Sequence, residues 1–206
     1  MDRDDFFKRR PGMIGERNYG QYAVLAILVE TVKGPALLFE KRSEMLNRQP
    51  GEICFPGGRL EAGEKPVEGA IRETMEELLV KQEQIEIIGP GDIYISPYNM
   101  IIHPFIAKLQ DYNYRFSHQE VSEVFTVPVR FFQENEPKKY MNQLIYEQPN
   151  DFPYESIPGG KNYPWSIGTY TINFYNYEEA VIWGMTAAIV ESVVGLINTY
   201  QLLSDF

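Results

Sequence analysis

Residues 58–80 read GRLEAGEKPVEGAIRETMEELLV and follow Phe55-Pro56-Gly57. Pro66 suits the first position of a helix, where its missing N–H would have no partner in any case. The stretch therefore predicts a loop over Arg59 to Lys65 and a helix from Pro66 to about Leu79. Gly69 inside that helix costs about 1 kcal/mol relative to Ala, which implies close packing there. Residues three and four apart share a helix face, so Glu73, Glu76 and Glu77 form one carboxylate patch. Three like charges so placed repel, and Arg72, four residues before Glu76, offsets only part of this. A hard cation, Mg²⁺ or Mn²⁺, would offset the rest, because it prefers carboxylate oxygens and keeps waters that can be activated. A bare E-x-x-E-E also suits a solvated acidic face with Arg72 in a surface pair. The preceding loop favours the ion, because Pro56-Gly57-Gly58 lets the backbone approach a bound ion or phosphate closely.

Outward from this segment the chain alternates strand and helix patterns. Tyr22 to Glu30 and Leu37 to Lys41 are apolar runs separated by the turn residues Lys33-Gly34-Pro35, which predicts a hairpin. Glu52 to Phe55 reads as a short strand, as do Ile85 to Ile88 and Ile93 to Ser96. Met100 to Leu109 is a strand with Pro104 in its middle, which predicts an edge or a bulge. Glu120 to Phe132 reads as a short helix or turn followed by Val127-Pro128-Val129. Residues 133–176 are dense in Pro, Tyr, Asn and Gly and read as a long excursion with strands at Tyr140 to Tyr146 and Tyr170 to Phe174. Glu178 to Leu203 reads as the last long helix. The fold class is α/β (α+β), with a mixed β-sheet covered on both faces. One domain over 1–206, with an N-terminal arm at 1–19, fits the length.

The formal net charge of −10 argues against binding nucleic acid through overall charge. An acidic site and a polyphosphate ligand are compatible only with cations between them. The single cysteine, Cys54, excludes an intrachain disulfide. The first twenty residues contain no apolar signal core, and Ala180 to Leu203 is interrupted by Glu191, so the reading is no membrane span and a cytoplasmic location. The 14 tyrosines suit either a ligand groove or the packing of a loop-rich region.

The pattern G-x5-E-x7-R-E-U-x-E-E-x-G-U, with U apolar, is the Nudix box. Gly58, Glu64, Arg72, Glu73, Glu76 and Glu77 stand at its spacings, Val80 fills the last U, and Leu79 replaces its final Gly. The chain is thus identified as resembling the Nudix hydrolases, which implies an α/β/α sandwich and metal-dependent hydrolysis of a pyrophosphate bond in a nucleotide derivative. The resemblance implies Glu73 and Glu77 as ligands of Mg²⁺ or Mn²⁺, Glu76 as a further or water-mediated ligand, and the Gly57 carbonyl completing the set. It implies that Arg72 orients Glu73 and that Glu64 supports the loop or binds metal through water. The general base stays open between Glu73 and Glu120 or Glu123, the plainer reading of the latter two being surface charge.

A second resemblance is to the coenzyme A pyrophosphatases of this superfamily, whose pattern is L-L-T-x-R-S-x3-R-x3-G-x3-F-P-G-G. Arg42, Ser43, Gly51 and Phe55-Pro56-Gly57-Gly58 match it, whereas Phe39, Glu40 and Asn47 depart from it, and Arg48 stands beside the expected Arg. Pro104-Phe105-Ile106, the segment Glu120 to Pro128, and Ile182-Trp183-Gly184-Met185-Thr186-Ala187 also resemble that subfamily. The implied substrate is coenzyme A, cut to 4′-phosphopantetheine and adenosine 3′,5′-bisphosphate, with another nucleoside diphosphate derivative as the alternative and a non-cutting nucleotide sensor as the rival. Implied substrate contacts are Arg42, Ser43, Arg48, Phe55 and Gly58. Arg42 and Arg48 suit a phosphate, or equally a pairing with the acidic surface. Trp183 and Phe55 read as core residues and His103 as a strand histidine. Tyr140, Tyr154, Tyr163 and Trp165 read as a substrate-side cover or a homodimer contact.

Overall fold

The run from Gly20 to Val29 is β1, and its side chains alternate between two cores. Tyr22, Val24, Ala26 and Leu28 pack into one, and Ala23, Leu25, Ile27 and Val29 into the other. A strand buried on both faces reads as continuous rather than alternating apolar sequence, which is how this stretch reads. Each Leu or Ile so buried contributes on the order of 2 kcal/mol. The computed structural model describes residues 7–9 and 11–204. Of the expected N-terminal arm, residues 1–6 and 10 lie outside the described residues, and Glu16–Asn18 form a 3-10 turn.

β2 (Ala36–Arg42) returns antiparallel to β1 through the expected turn, where Thr31 Oγ1 donates to the Gly34 carbonyl at 2.7 Å. β1 also pairs parallel with β7 (Met100–Leu109). The remaining strands are β3 (Ile53–Cys54), β4 (Gly57–Arg59), β5 (Ile85–Pro90), β6 (Tyr94–Ser96) and β8 (Val121–Pro128). The sheet runs β3-β2-β1-β7-β5, with β4 on β1, β6 on β7 and β8 on β2. It is mixed, as the sequence predicts. A second, antiparallel sheet has the order β11-β10-β9, formed by β9 (Lys138–Leu144), β10 (Gly168–Tyr177) and β11 (Ala180–Trp183). Helix α1 (Pro66–Leu78) covers one face of the main sheet; α2 (Val129–Glu134), α3 (Gly184–Tyr200) and the inner residues Tyr175 and Ile182 cover the other.

Five readings change. Gly57–Arg59 is not loop but strand β4, because β1 offers its first half as an unpaired edge there. Of the edge or bulge expected at Pro104, the edge is absent, since β7 is flanked by β1 on one side and by β5 and β6 on the other, while the β5–β7 register does shift close by, between Ile87 and Gly89 opposite Ala107 and Ile106. The proline falls between the ends of those two partners, where Gly91 N–H donates to its carbonyl and no ladder bond is demanded of its nitrogen. Val121–Pro128 is a full strand, held by pairing to β2 over its length, with a helix only afterwards. The last apolar segment is two elements, β11 and then α3, divided at Gly184 with φ +62°. Finally, Tyr140, Tyr154, Tyr163 and Trp165, read as a substrate-side cover or a homodimer contact, do not line the cavity described below, which speaks against the first of those roles only. Trp165 packs instead on Tyr146, Phe152 and Tyr163, so these rings stabilise the excursion itself.

Helix α1 ends with Leu79 in the left-handed region, φ 51° and ψ 39°, half-exposed. An L residue there is strained, and this is the position where the Nudix box carries glycine. Leu79→Gly is therefore expected to raise stability by about 1 kcal/mol, roughly 2–4 °C in Tm for a chain of this size. Thermal unfolding of the two proteins checks it, and an unchanged or lowered Tm refutes it.

Among the described residues no helix is long and apolar enough to cross a membrane.

Candidate functional site

Where β2 parts from β1 it pairs with β3, and β1 pairs with β4 instead, so the chain between β3 and β4 bridges an opening in the sheet. Leu25 N–H donates to Pro56 O and fixes that bridge. A cavity of about 690 Å³ opens at this point. Its lining includes Arg42, Arg48, Phe55, Gly57, Gly58, Glu73, Glu77 and Glu120. Of the expected site residues, Ser43, Glu123, Glu64, Arg72 and Glu76 do not line it.

Gly57 and Gly58 are dictated by closeness. Gly57 has φ +146°, and a Cβ there would stand 2.3 Å from Ala23 O. A Cβ on Gly58 would stand 2.4 Å from the Glu73 carboxyl carbon. Gly57 N–H donates to Glu77 Oε2 at 2.8 Å, joining the loop to the helix. Glu77 is almost fully buried, and Glu73 is partly so. Burial pushes both carboxyls above the usual range, and Glu77 is raised further by the neighbouring Glu40.

Arg72 is the organising cation. Its Nε and Nη2 donate to Glu64 at 2.9 and 3.1 Å, and its Nη1 donates to Glu73 at 2.8 Å. Nη2 also reaches Arg59 O, and Nη1 lies 3.6 Å from Glu76, which is exposed. Glu64 accepts Glu61 N–H as well, and its bond from Arg72 holds its carboxyl below the usual range. Arg72 thus fixes the loop to the helix through Glu64 and sets the Glu73 carboxylate beside Gly58.

Arg42 and Arg48 face the same cavity, and Arg42 Nε is buried with no hydrogen-bond partner among the described residues. Phe55 is buried, stacked on Phe39 with centroids 4.8 Å apart, and only borders the cavity. Ser43 serves its own turn: its N–H donates to Glu120 O and its Oγ accepts Met45 N–H. Glu123 lies exposed on β8, opposite Lys41. His103 pairs with Gln21 at 2.9 Å.

Three features escape the sequence reading. Trp183 is not core: it is 40% exposed, stacks on Phe174 and lines the cavity. Tyr170, Ile172, Met185 and Ile189 add an apolar wall from β10 and α3, signalled only by i,i+2 and i,i+4 spacing. Glu40, noticed in the sequence only as a departure from Thr, is fully buried on β2. Its Oε1 accepts the Cys54 thiol at 3.4 Å and its Oε2 has no partner. Burial pushes its carboxyl up to about 7.

Among the described residues, no three His, Cys, Asp or Glu side chains already converge on one point in metal-holding geometry. The donor set nevertheless fits a divalent cation. Two carboxylates, Glu40 and Glu77, are buried, one oxygen of Glu40 is orphaned, and two glycines bring backbone against the carboxylates. Hard oxygen donors beside arginines that face a cavity suit the chemistry of a phosphate anhydride handled with metal.

That class narrows to one family. The NUDIX domain model matches residues 20–161, and the chain belongs to the Nudix family. It is a hydrolase of pyrophosphate bonds in nucleotide derivatives, in a family that uses divalent metal ions. An uncharacterized Nudix hydrolase NudL of Escherichia coli is 31% identical over 92% of this chain and 92% of its own. The peroxisomal coenzyme A diphosphatase NUDT7 of Mus musculus is 31% identical over 69% of this chain and 63% of its own. A MutT/nudix family protein from Enterococcus faecalis shares the fold, with TM-score 0.51 at 13% identity over 98% of this chain and 70% of that one.

Proposed function

We propose that this protein hydrolyses the diphosphate of coenzyme A, giving 4′-phosphopantetheine and adenosine 3′,5′-bisphosphate, with Mg²⁺ or Mn²⁺. The observation that carries the reading is the continuity of one cavity. The carboxylates Glu73 and Glu77, the cations Arg42 and Arg48, and an apolar wall of Tyr170, Ile172 and Met185 line the same space. A diphosphate flanked by a further phosphate and by a long, weakly polar arm uses all three. The similarity to a coenzyme A diphosphatase over 69% of the chain supports the same substrate.

Glu73 and Glu77 hold the metal in this reading, with the Gly57 carbonyl beside them and Glu76 as an outer partner. Bound there, the cation supplies charge neutralisation at the phosphoryl oxygens and a lowered pKa for water. Arg72 positions Glu73, and Glu64 positions Arg72. Glu120, at the cavity, takes the proton of the attacking water; Glu123 is outside it. The water oxygen bonds to one phosphorus, the bridging P–O bond breaks, and the bridging oxygen leaves with the other phosphoryl group. Arg42 and Arg48 bind phosphate oxygens of the substrate. Small nucleotide derivatives are the partners of this site; a homodimer and a cytoplasmic location remain part of the same proposal.

Relative kcat/KM values for coenzyme A, dephospho-coenzyme A, ADP-ribose, NADH and diadenosine polyphosphates, each with Mg²⁺ and with Mn²⁺, test the substrate. Coenzyme A is expected to lead, with dephospho-coenzyme A slower by about tenfold or more for a lost charge-assisted phosphate contact. A lead for ADP-ribose or NADH overturns the substrate and leaves the hydrolase.

A further inference from the structure

We propose that Glu40, on strand β2, is an additional carboxylate ligand of the divalent cation held by Glu73 and Glu77. This rests on the metal-dependent reading above and adds to it a donor outside the helix motif.

Glu40 has no solvent exposure, and its Oε2 has no partner. Its other oxygen meets only the Cys54 thiol, a weak donor, at 3.4 Å. Burying a carboxylate without compensation is costly, so a buried and half-unpartnered one marks a place where something positive belongs. The strand fixes it there: Glu40 pairs with Cys54 on one side and with Val124 on the other, so its backbone has no freedom to carry the side chain to water. It shares a strand face with Leu38, which packs in the same core as α1. Its electrostatic neighbours are Arg42, Glu120 and Glu73, and Glu77 counts Glu40 as its strongest charged neighbour.

Glu73, Glu77 and Glu120 line one cavity and Glu40 is buried outside its lining, each within the electrostatic reach of the others. Arg72 is engaged by Glu64 and Glu73, and among the described residues Arg42 is the cation whose charge acts on Glu40. Glu40 is absent from the cavity lining whereas Glu77 is part of it. An ion that reaches Glu77 from the cavity comes within the field of Glu40 without any new opening. Apolar packing does not explain the residue, since the pattern this segment resembles carries Thr here and needs no carboxylate to build the strand.

The test is Mn²⁺ binding, read from the loss of the free-ion electron paramagnetic resonance signal, in the wild type, Glu40→Gln and Glu40→Thr. Thermal unfolding with and without Mn²⁺ accompanies it. Both variants are expected to bind Mn²⁺ at least about tenfold more weakly. Their Tm gain on adding Mn²⁺ should shrink, and their metal-free Tm should equal or exceed that of the wild type because a buried anion is gone. If one variant fails to fold, the other gives the reading. Wild-type affinity and a wild-type Tm gain in both variants overturn the proposal. So does a lower metal-free Tm with unchanged affinity, which makes Glu40 purely structural. If the wild type itself binds no Mn²⁺, the metal-dependent reading falls, and Glu40 falls with it.

Discussion

Glu77→Gln is expected to lower the rate of pyrophosphate hydrolysis about 10³-fold, corresponding to loss of a few kcal/mol of metal-assisted transition-state stabilisation. The change is nearly isosteric. The amide oxygen of Gln can still accept the Gly57 N–H that Glu77 accepts at 2.8 Å, so loop and helix stay joined. What is lost is the charge of the buried carboxylate on the cavity wall. Because Glu77 and Glu40 repel each other, the metal-free variant should be no less stable than the wild type. The pair of measurements is decisive: a rate above about a tenth of wild type denies Glu77 its role, less than 1.4 kcal/mol being lost. A large fall in metal-free Tm makes the carboxylate a structural element instead.

Gly57→Ala is expected to cost about 3 kcal/mol of stability, combining overpacking against backbone with a strained positive φ. The Cβ would stand 2.3 Å from Ala23 O and 2.6 Å from Val24 Cα, both on β1. Neither is the end of a flexible side chain. Relief requires β4 to move off the central strand and take the Gly57 N–H away from Glu77. Tm should fall by roughly 6–12 °C, as a change of that size gives in a chain of about 200 residues. Activity should fall with it even below Tm. Thermal unfolding within about 2 °C of wild type, less than 1 kcal/mol at this size, contradicts the packing argument.

Much of this architecture was legible because local signals and tertiary demands agree. Pro66 starts α1, the β1 run is apolar throughout because both faces are buried, and Gly58, Glu73 and Glu77 meet because the loop leads straight into the helix. The misread segments depend on partners distant in sequence. Val121–Pro128 is a strand because β2 lies beside it, and Gly57–Arg59 is one because β1 leaves an edge free. The stretch Ala180–Tyr200 hides a strand-to-helix change inside continuous apolar sequence, where periodicity gives no boundary. At the site, the motif located the carboxylates but not the wall opposite them. Trp183 and Ile172 reach the cavity only because the second sheet folds back against the first, tied by the Tyr94 and Tyr170 hydroxyls at 2.6 Å. Glu40 read as a mismatch in sequence, and only its burial beside Glu77 shows it to be part of the same electrostatic system.

Phosphorus NMR of coenzyme A incubated with the protein and Mg²⁺, with and without EDTA, tests the central claim directly. The diphosphate resonances should give way to two phosphomonoester resonances with Mg²⁺ and persist with EDTA. Diphosphate resonances that persist with Mg²⁺, for coenzyme A and for every other nucleotide diphosphate supplied, would contradict a hydrolytic site in this cavity.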